Sequence, residues 1–133
     1  DQRTLDQVCL GAVAAAQDAF ALVRKVNGRR SGAGVPQVHF GVGLDAGEVV
    51  IGNVGAFDRL SVVVRGPAVN RAARIEALTK ELGYPLLVSA AVQAHLAAPL
   101  CYLGQYQVKG VSDPLGVYAP GVPLTECLRA APA

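Results

Sequence analysis

The run VVVRGPAVNRAARIEALTKELG (residues 62–83) limits the fold of this 133-residue chain more than any other segment. Residues 60–64 are apolar enough for a central strand buried on both faces. Two residues later Gly66-Pro67 opens a helix, and proline suits the first helical position because its missing N–H would be unpaired there anyway. Ala68, Val69, Ala72, Ala73, Ile75, Ala77, Leu78 and Leu82 give that helix a wide apolar face, and Gly83 stops it. A strand that passes straight into an amphipathic helix calls for a sheet flanked by helices.

The rest of the chain reads consistently with that layering. Residues 4–27 form one long amphipathic helix, capped by Thr4, with apolar positions at three- and four-residue spacing and Gly28 as its terminator. Residues 28–36 (GRRSGAGVP) are a flexible loop. Residues 38–44 and 48–54 are two strands rich in β-branched residues, and Asp45-Ala46-Gly47 between them signals a hairpin. Residues 85–89 are a short strand and 90–97 a short helix. Residues 102–109 and 115–119 pair around a turn containing Gly110 and Pro114. One domain is expected over residues 1–120, with a loose tail over 121–133.

Composition excludes several classes. Hydrophobic residues make up 52% of the chain and charged ones 17%, which is the balance of a folded domain rather than a disordered segment. A net charge of +2 with scattered basic residues does not describe a nucleic-acid stripe. The small cluster Arg24, Lys25, Arg29 and Arg30 reads as a solvated helix end, where cations complement the helix dipole. No apolar run reaches the length of a membrane span. Cys9, Cys101 and Cys127 are far apart and odd in number, so buried thiols in a reducing cytoplasm are expected.

Familiar catalytic patterns are missing. The only histidines, His39 and His95, fall in a strand and a short helix, where a structural role is the cheaper reading. The glycine-rich GVGLDAG (residues 41–47) lacks the Lys-Ser/Thr of a phosphate loop. Asp45 and Glu48 are the closest carboxylates in a loop, and a hairpin turn explains both more simply than a metal site. What remains is Asn70 and Arg74, four residues apart and therefore side by side on one helical face. An amide beside a guanidinium near a helix start suits a polyphosphate whose charge shifts during reaction. A pair merely solvated on the surface is the other reading.

At these residues the chain resembles the class III adenylate and guanylate cyclases. VHFGVGLDAGEVVIGNVG (residues 38–55), GPAVNRAARIEALTKELG (66–83), PLLVS (85–89) and LGQYQVKGVSDPLGVY (103–118) look like consecutive motifs of that family, in its order and at its distances. The resemblance implies a ferredoxin-like nucleotidyl cyclase fold of the α+β kind, with a mostly antiparallel sheet flanked by helices. It implies a homodimer whose active sites are shared between partners. In this reading Asn70 orients the substrate ribose, and Arg74 stabilises charge on the phosphates as pyrophosphate leaves. Lys109 contacts the terminal phosphates, and Arg59 is a weaker phosphate candidate. The base-reading position falls on Val63, which offers shape but no hydrogen bond, so ATP and GTP both stay open.

The family's two metal-binding aspartates precede the long helix with which this chain begins. The resemblance therefore implies a catalytic domain truncated at its N-terminus. The two Mg²⁺ or Mn²⁺ ions would be bound by residues absent from this chain, and none of the site residues here is a metal ligand. Two functions follow as expectations. One is part of an adenylate cyclase converting ATP to 3′,5′-cyclic AMP and pyrophosphate in intracellular signalling, inactive on its own. The alternative is a catalytically dead cyclase-like module that binds nucleotide or regulates a partner. In both, the domain is cytoplasmic, free of nucleic acid and without direct membrane contact, although the parent protein can be anchored elsewhere. A missing central strand further implies exposed apolar surface, resolved by dimerisation, exchanged elements or a rearranged sheet.

Overall fold

A computed structural model describes residues 3–56, 59–98 and 100–121 of the chain; the expected tail, Cys127 included, lies outside the described residues. The elements in chain order are α1 (Leu5–Gly32), β1 (Val42–Leu44), β2 (Val50–Ala56), β3 (Arg59–Arg65), α2 (Pro67–Leu82), β4 (Leu86–Ser89), α3 (Ala90–Gln93), β5 (Cys101–Tyr106) and β6 (Leu115–Ala119). Four strands form a mixed sheet in the order β1-β4-β6-β5, with β1 parallel to β4 and the other pairs antiparallel. The remaining strands, β2 and β3, form a separate antiparallel ribbon. The architecture is α+β, a mixed sheet with helices against it.

Alternation along β4 divides the core in two. All four of its residues are buried, and successive side chains point to opposite faces. Leu86 and Val88 join Cys9, Val13 and Ala16 of α1 and Val92 on one side. On the other, Leu87 joins Ile75 and Leu78 of α2 together with Cys101, Leu103, Val117 and Ala119. The helices α1 and α2 thus cover opposite faces of the sheet. The same division shapes β1, where Val42 and Leu44 pack toward the α1 side and the alternate positions turn to α2.

Those alternate positions are glycines because α2 lies too close for anything larger. A Cβ added at Gly43 would fall 2.4 Å from the Glu76 backbone nitrogen and 2.7 Å from the Ala72 carbonyl oxygen. One at Gly41 would meet the Thr79 side chain. The junction into α2 is equally tight. Gly66 caps the helix at φ 141°, which L side chains rarely adopt, and a Cβ there would lie 2.9 Å from the Glu48 carbonyl oxygen. Its own carbonyl accepts from the backbone N–H groups of Val69 and Asn70.

Several sequence expectations need correction. Residues 38–54 do not make a hairpin: β1 pairs with β4, and β2 pairs with β3. The apolar run after residue 59 is not a buried central strand, since it lies in the two-stranded ribbon with Val62 68% exposed. On α2, Val69 and Ala73 are exposed rather than buried, and the core face is Ala68, Ile75, Leu78 and Thr79. Gly28 does not end α1. The helix runs on to Gly32, where Arg30 Nε donates to the Pro36 carbonyl and the Asn27 amide bonds the Val38 backbone in both directions. At 28 residues α1 is long and apolar enough, by length and composition alone, to cross a membrane; here it carries the buried stripe Cys9, Val13 and Ala16 against the sheet. Cys101 is disulfide-bonded, so the cysteines are not all free thiols, and their usage lends no support to a reducing compartment.

Two outcomes test this account. Gly43→Ala places a methyl against helix backbone that cannot step aside, and urea unfolding should show a loss of about 1–3 kcal/mol. Burial, and secondarily the Asp6 carboxylate, push the Cys9 thiol above its ordinary value. A raised thiol pKa means the folded state disfavours the thiolate. That contribution to stability is whole below the unfolded pKa and lost as pH rises through the folded one. Cys9 should therefore resist a thiol-specific reagent at pH 8 in the native protein and react promptly in urea.

Candidate functional site

Asn70 and Arg74 stand one turn apart in the first half of α2, and both are exposed. Neither side chain makes a hydrogen bond or ion pair with any of the described residues. The helix beneath them is fixed by the Gly66 junction at its start, by Ile75 and Leu78 in the core, and by β1 along its length. A rigid helix thus presents an unengaged amide and guanidinium outward.

The other expected site residues are distributed around this face rather than gathered at it. Lys109 is exposed in the turn after β5, the strand at the far edge of the sheet from β1, and the neighbouring Val108 packs against the core. Val63 is half-buried in the ribbon, opposite Gly52. Arg59 opens β3, and its side chain lies outside the described ones. A cavity of about 340 Å³ between α1, the loop after β1 and the start of α2 is lined mainly by apolar groups such as Val8, Ala46, Val49 and Val69, and not by Asn70, Arg74 or Lys109.

One ion pair at this helix was not foreseen. Arg71 Nε donates to Asp45 Oδ2 at 2.6 Å, with the Asp45 side chain 2% exposed and that of Arg71 29%. Asp45 is therefore a buried anchor for α2 and not a turn residue of a hairpin. The usable signal was its place on the same alternate positions as Gly41, Gly43 and Gly47. His95 Nδ1 and Asp6 Oδ1, 2.7 Å apart, tie the segment after α3 to the first turn of α1, a structural contact. His39 is exposed ahead of β1. Among the described residues no three His, Cys, Asp or Glu side chains converge as a metal site.

A mixed sheet with helices on both faces, a glycine junction and an exposed Asn–Arg helix define a nucleotidyl-cyclase-like α+β domain. Comparison with known proteins agrees. The chain is 36% identical over 90 residues to an adenylate cyclase of Anabaena cylindrica, covering 64% of this chain and 18% of that protein. It is 32% identical over 120 residues to adenylate cyclase 1 of Rhizobium meliloti, covering 89% of this chain and 17% of that one. The structure of the guanylyl cyclase Cya2 superposes with a TM-score of 0.71 at 31% identity, over 83% of this chain and 56% of that chain. The adenylyl cyclase CyaB from P. aeruginosa shares the fold, with a TM-score of 0.76 over 87% of this chain and 60% of that one. No family model matches. The chain is a class III cyclase-like domain, and it spans less than a fifth of the length of these two curated relatives.

Because Asn70 and Arg74 bear no structural load, Asn70→Ala and Arg74→Ala should each move the thermal unfolding midpoint by no more than about 3 °C, followed by circular dichroism. A larger fall would show that the pair belongs to the packing.

Proposed function

We propose that this chain supplies the ribose- and phosphate-binding face of a class III adenylate cyclase, acting on ATP to give 3′,5′-cyclic AMP and pyrophosphate. The observation that carries this reading is an amide and a guanidinium, unengaged and one turn apart, on a helix held rigidly from behind. Arg74 is suited to the negative charge that grows on the phosphates as the α-phosphorus–oxygen bond to pyrophosphate breaks, since its planar fork spans two oxygens. Asn70 can both donate to and accept from a ribose hydroxyl, which orients the 3′-oxygen toward the α-phosphorus. Lys109 acts as a mobile point charge for the terminal phosphates, with Arg59 as a second cation. Val63 contacts the base by shape alone.

This face is open, so its other wall comes from a second subunit. The ribbon supports that arrangement: Val50 and Ile51 on β2 are 70% and 67% exposed, and a two-stranded ribbon is marginal without a cover. A homodimer with shared sites fits both observations. The described residues do not hold the donor set for a pair of divalent ions, and Asp45 is already committed to Arg71. We place the carboxylates for Mg²⁺ or Mn²⁺ elsewhere and derive no step through those ions.

Titrating the chain with ATP and with GTP, by calorimetry, tests the reading. Asn70→Ala and Arg74→Ala should each weaken triphosphate binding by about tenfold to a hundredfold, the range for a lost hydrogen bond to a charged group. ATP and GTP should differ by less than about tenfold, because Val63 leaves no polar group to discriminate them. With Mn²⁺ and ATP, the chain alone should form no cyclic nucleotide. Wild-type binding that ignores both substitutions removes the assignment.

A further inference from the structure

We infer that Asp45 and Arg71 form a positioning pair that fixes the rotation of α2 about its own axis, and with it the direction in which Asn70 and Arg74 project. The inference rests on the reading that this face of α2 binds a nucleoside triphosphate. Its physical ground is the surface on which the helix lies. At alternate positions the segment from Gly41 through β1 and the loop after it turns Gly41, Gly43, Asp45 and Gly47 toward α2. Added Cβ atoms at these glycines would meet Thr79, then Glu76 and Ala72, then Arg71 and Ala68, so strand and helix run antiparallel along four successive contacts.

Ile75, Leu78 and Leu82 lock the C-terminal half of α2 into the core, but along the glycine row its N-terminal half meets backbone, where no glycine offers a side chain to interlock. Asp45 is the one side chain on that row, and it takes Arg71 Nε at 2.6 Å with its own carboxylate almost wholly shielded from water. Gly47 leaves room for the guanidinium, since a Cβ there would stand 2.8 Å from an Arg71 terminal nitrogen. Arg71 is the immediate neighbour of Asn70 and lies three residues before Arg74. A roll of about 20° would swing a guanidinium carried about 8 Å from the helix axis by about 3 Å. Displacements near 1 Å already cost about a hundredfold in well-oriented chemistry.

The test compares Asp45→Asn, Arg71→Gln and the double variant in the full chain, using amide hydrogen exchange and ATP titration. In the single variants, exchange over residues 67–76 should accelerate by about tenfold or more while β4 and β6 keep their protection. ATP affinity should fall by about tenfold under conditions where the protein stays folded. The double variant replaces the ion pair with a neutral amide pair and removes the unpaired buried charge, so it should recover most of both. Should the single variants fail to fold, recovery of the native exchange pattern in the double still supports the pair. Unfolding of all three overturns it, as does exchange over 67–76 within about twofold of wild type in the folded single variants. If the wild type binds no ATP, the functional reading falls, while the exchange comparison still decides whether the pair holds the helix.

Discussion

The contact of α2 with β1 governs most of what this domain presents to its surroundings. At Gly43 the helix backbone comes so near that even a methyl group would collide with the Glu76 nitrogen. Such proximity brings the strand's backbone and the helix's backbone into direct dispersion contact, at the expense of the interlocking that larger side chains provide. It also explains why Asp45 can be buried. A carboxylate loses much on leaving water, and it is tolerated here because Arg71 meets it directly. The ion pair is poor evidence of stability taken alone, as such pairs gain little over apolar groups of similar size. Its value is directional.

From that contact the layers follow. The buried strand β4 turns Leu86 and Val88 to α1 and Leu87 to α2, so one four-residue segment separates two cores. The ribbon of β2 and β3 has no such cover. Ile51, Val62 and Val64 share one of its faces through the register Ile51↔Val64 and Asn53↔Val62, and all three are exposed. Apolar groups concentrated on a short, unsupported ribbon are costly in water. Their exposure is what the proposed second subunit would cover.

How much of this could be read from sequence depended on whether the deciding interaction was local. Pro67 and Gly83 bounded α2 because start and stop signals act within one turn, and the strand at residues 115–119 was placed with its observed limits. The strands before α2 were recognised but wrongly joined. Asp45-Ala46-Gly47 has hairpin chemistry, yet β1 gains its partner from β4, more than forty residues on in sequence, and no turn signal reports a pairing at that distance. Gly28 illustrates the reverse failure. Glycine lowers helix propensity by about 1 kcal/mol, and here the bonds of the Asn27 amide to the Val38 backbone and of Arg30 Nε to the Pro36 carbonyl hold the last turns. Asn70 and Arg74 were legible as neighbours from their four-residue spacing, and both are exposed. The role of Arg71 was not legible, because nothing local ties it to residue 45.

Arg71 and Arg74 both lie in the first half of α2. They are the same residue type, three positions apart on one helix, and the fold treats them differently. Arg71 meets a buried carboxylate and is spent on architecture. Arg74 faces outward with no counter-charge among the described residues. A folded chain with a net charge of +2 and ten acidic residues has anions enough to pair an exposed guanidinium, so leaving this one free is consistent with an anion supplied from outside. A guanidinium already paired would have to surrender its partner before gripping a phosphate, and affinity would fall by that amount. In the proposed function this division keeps the cost of orientation within the protein and leaves Arg74 unpaired for a phosphate. The proposed site is then defined as much by the arginine that is engaged as by the one that is not.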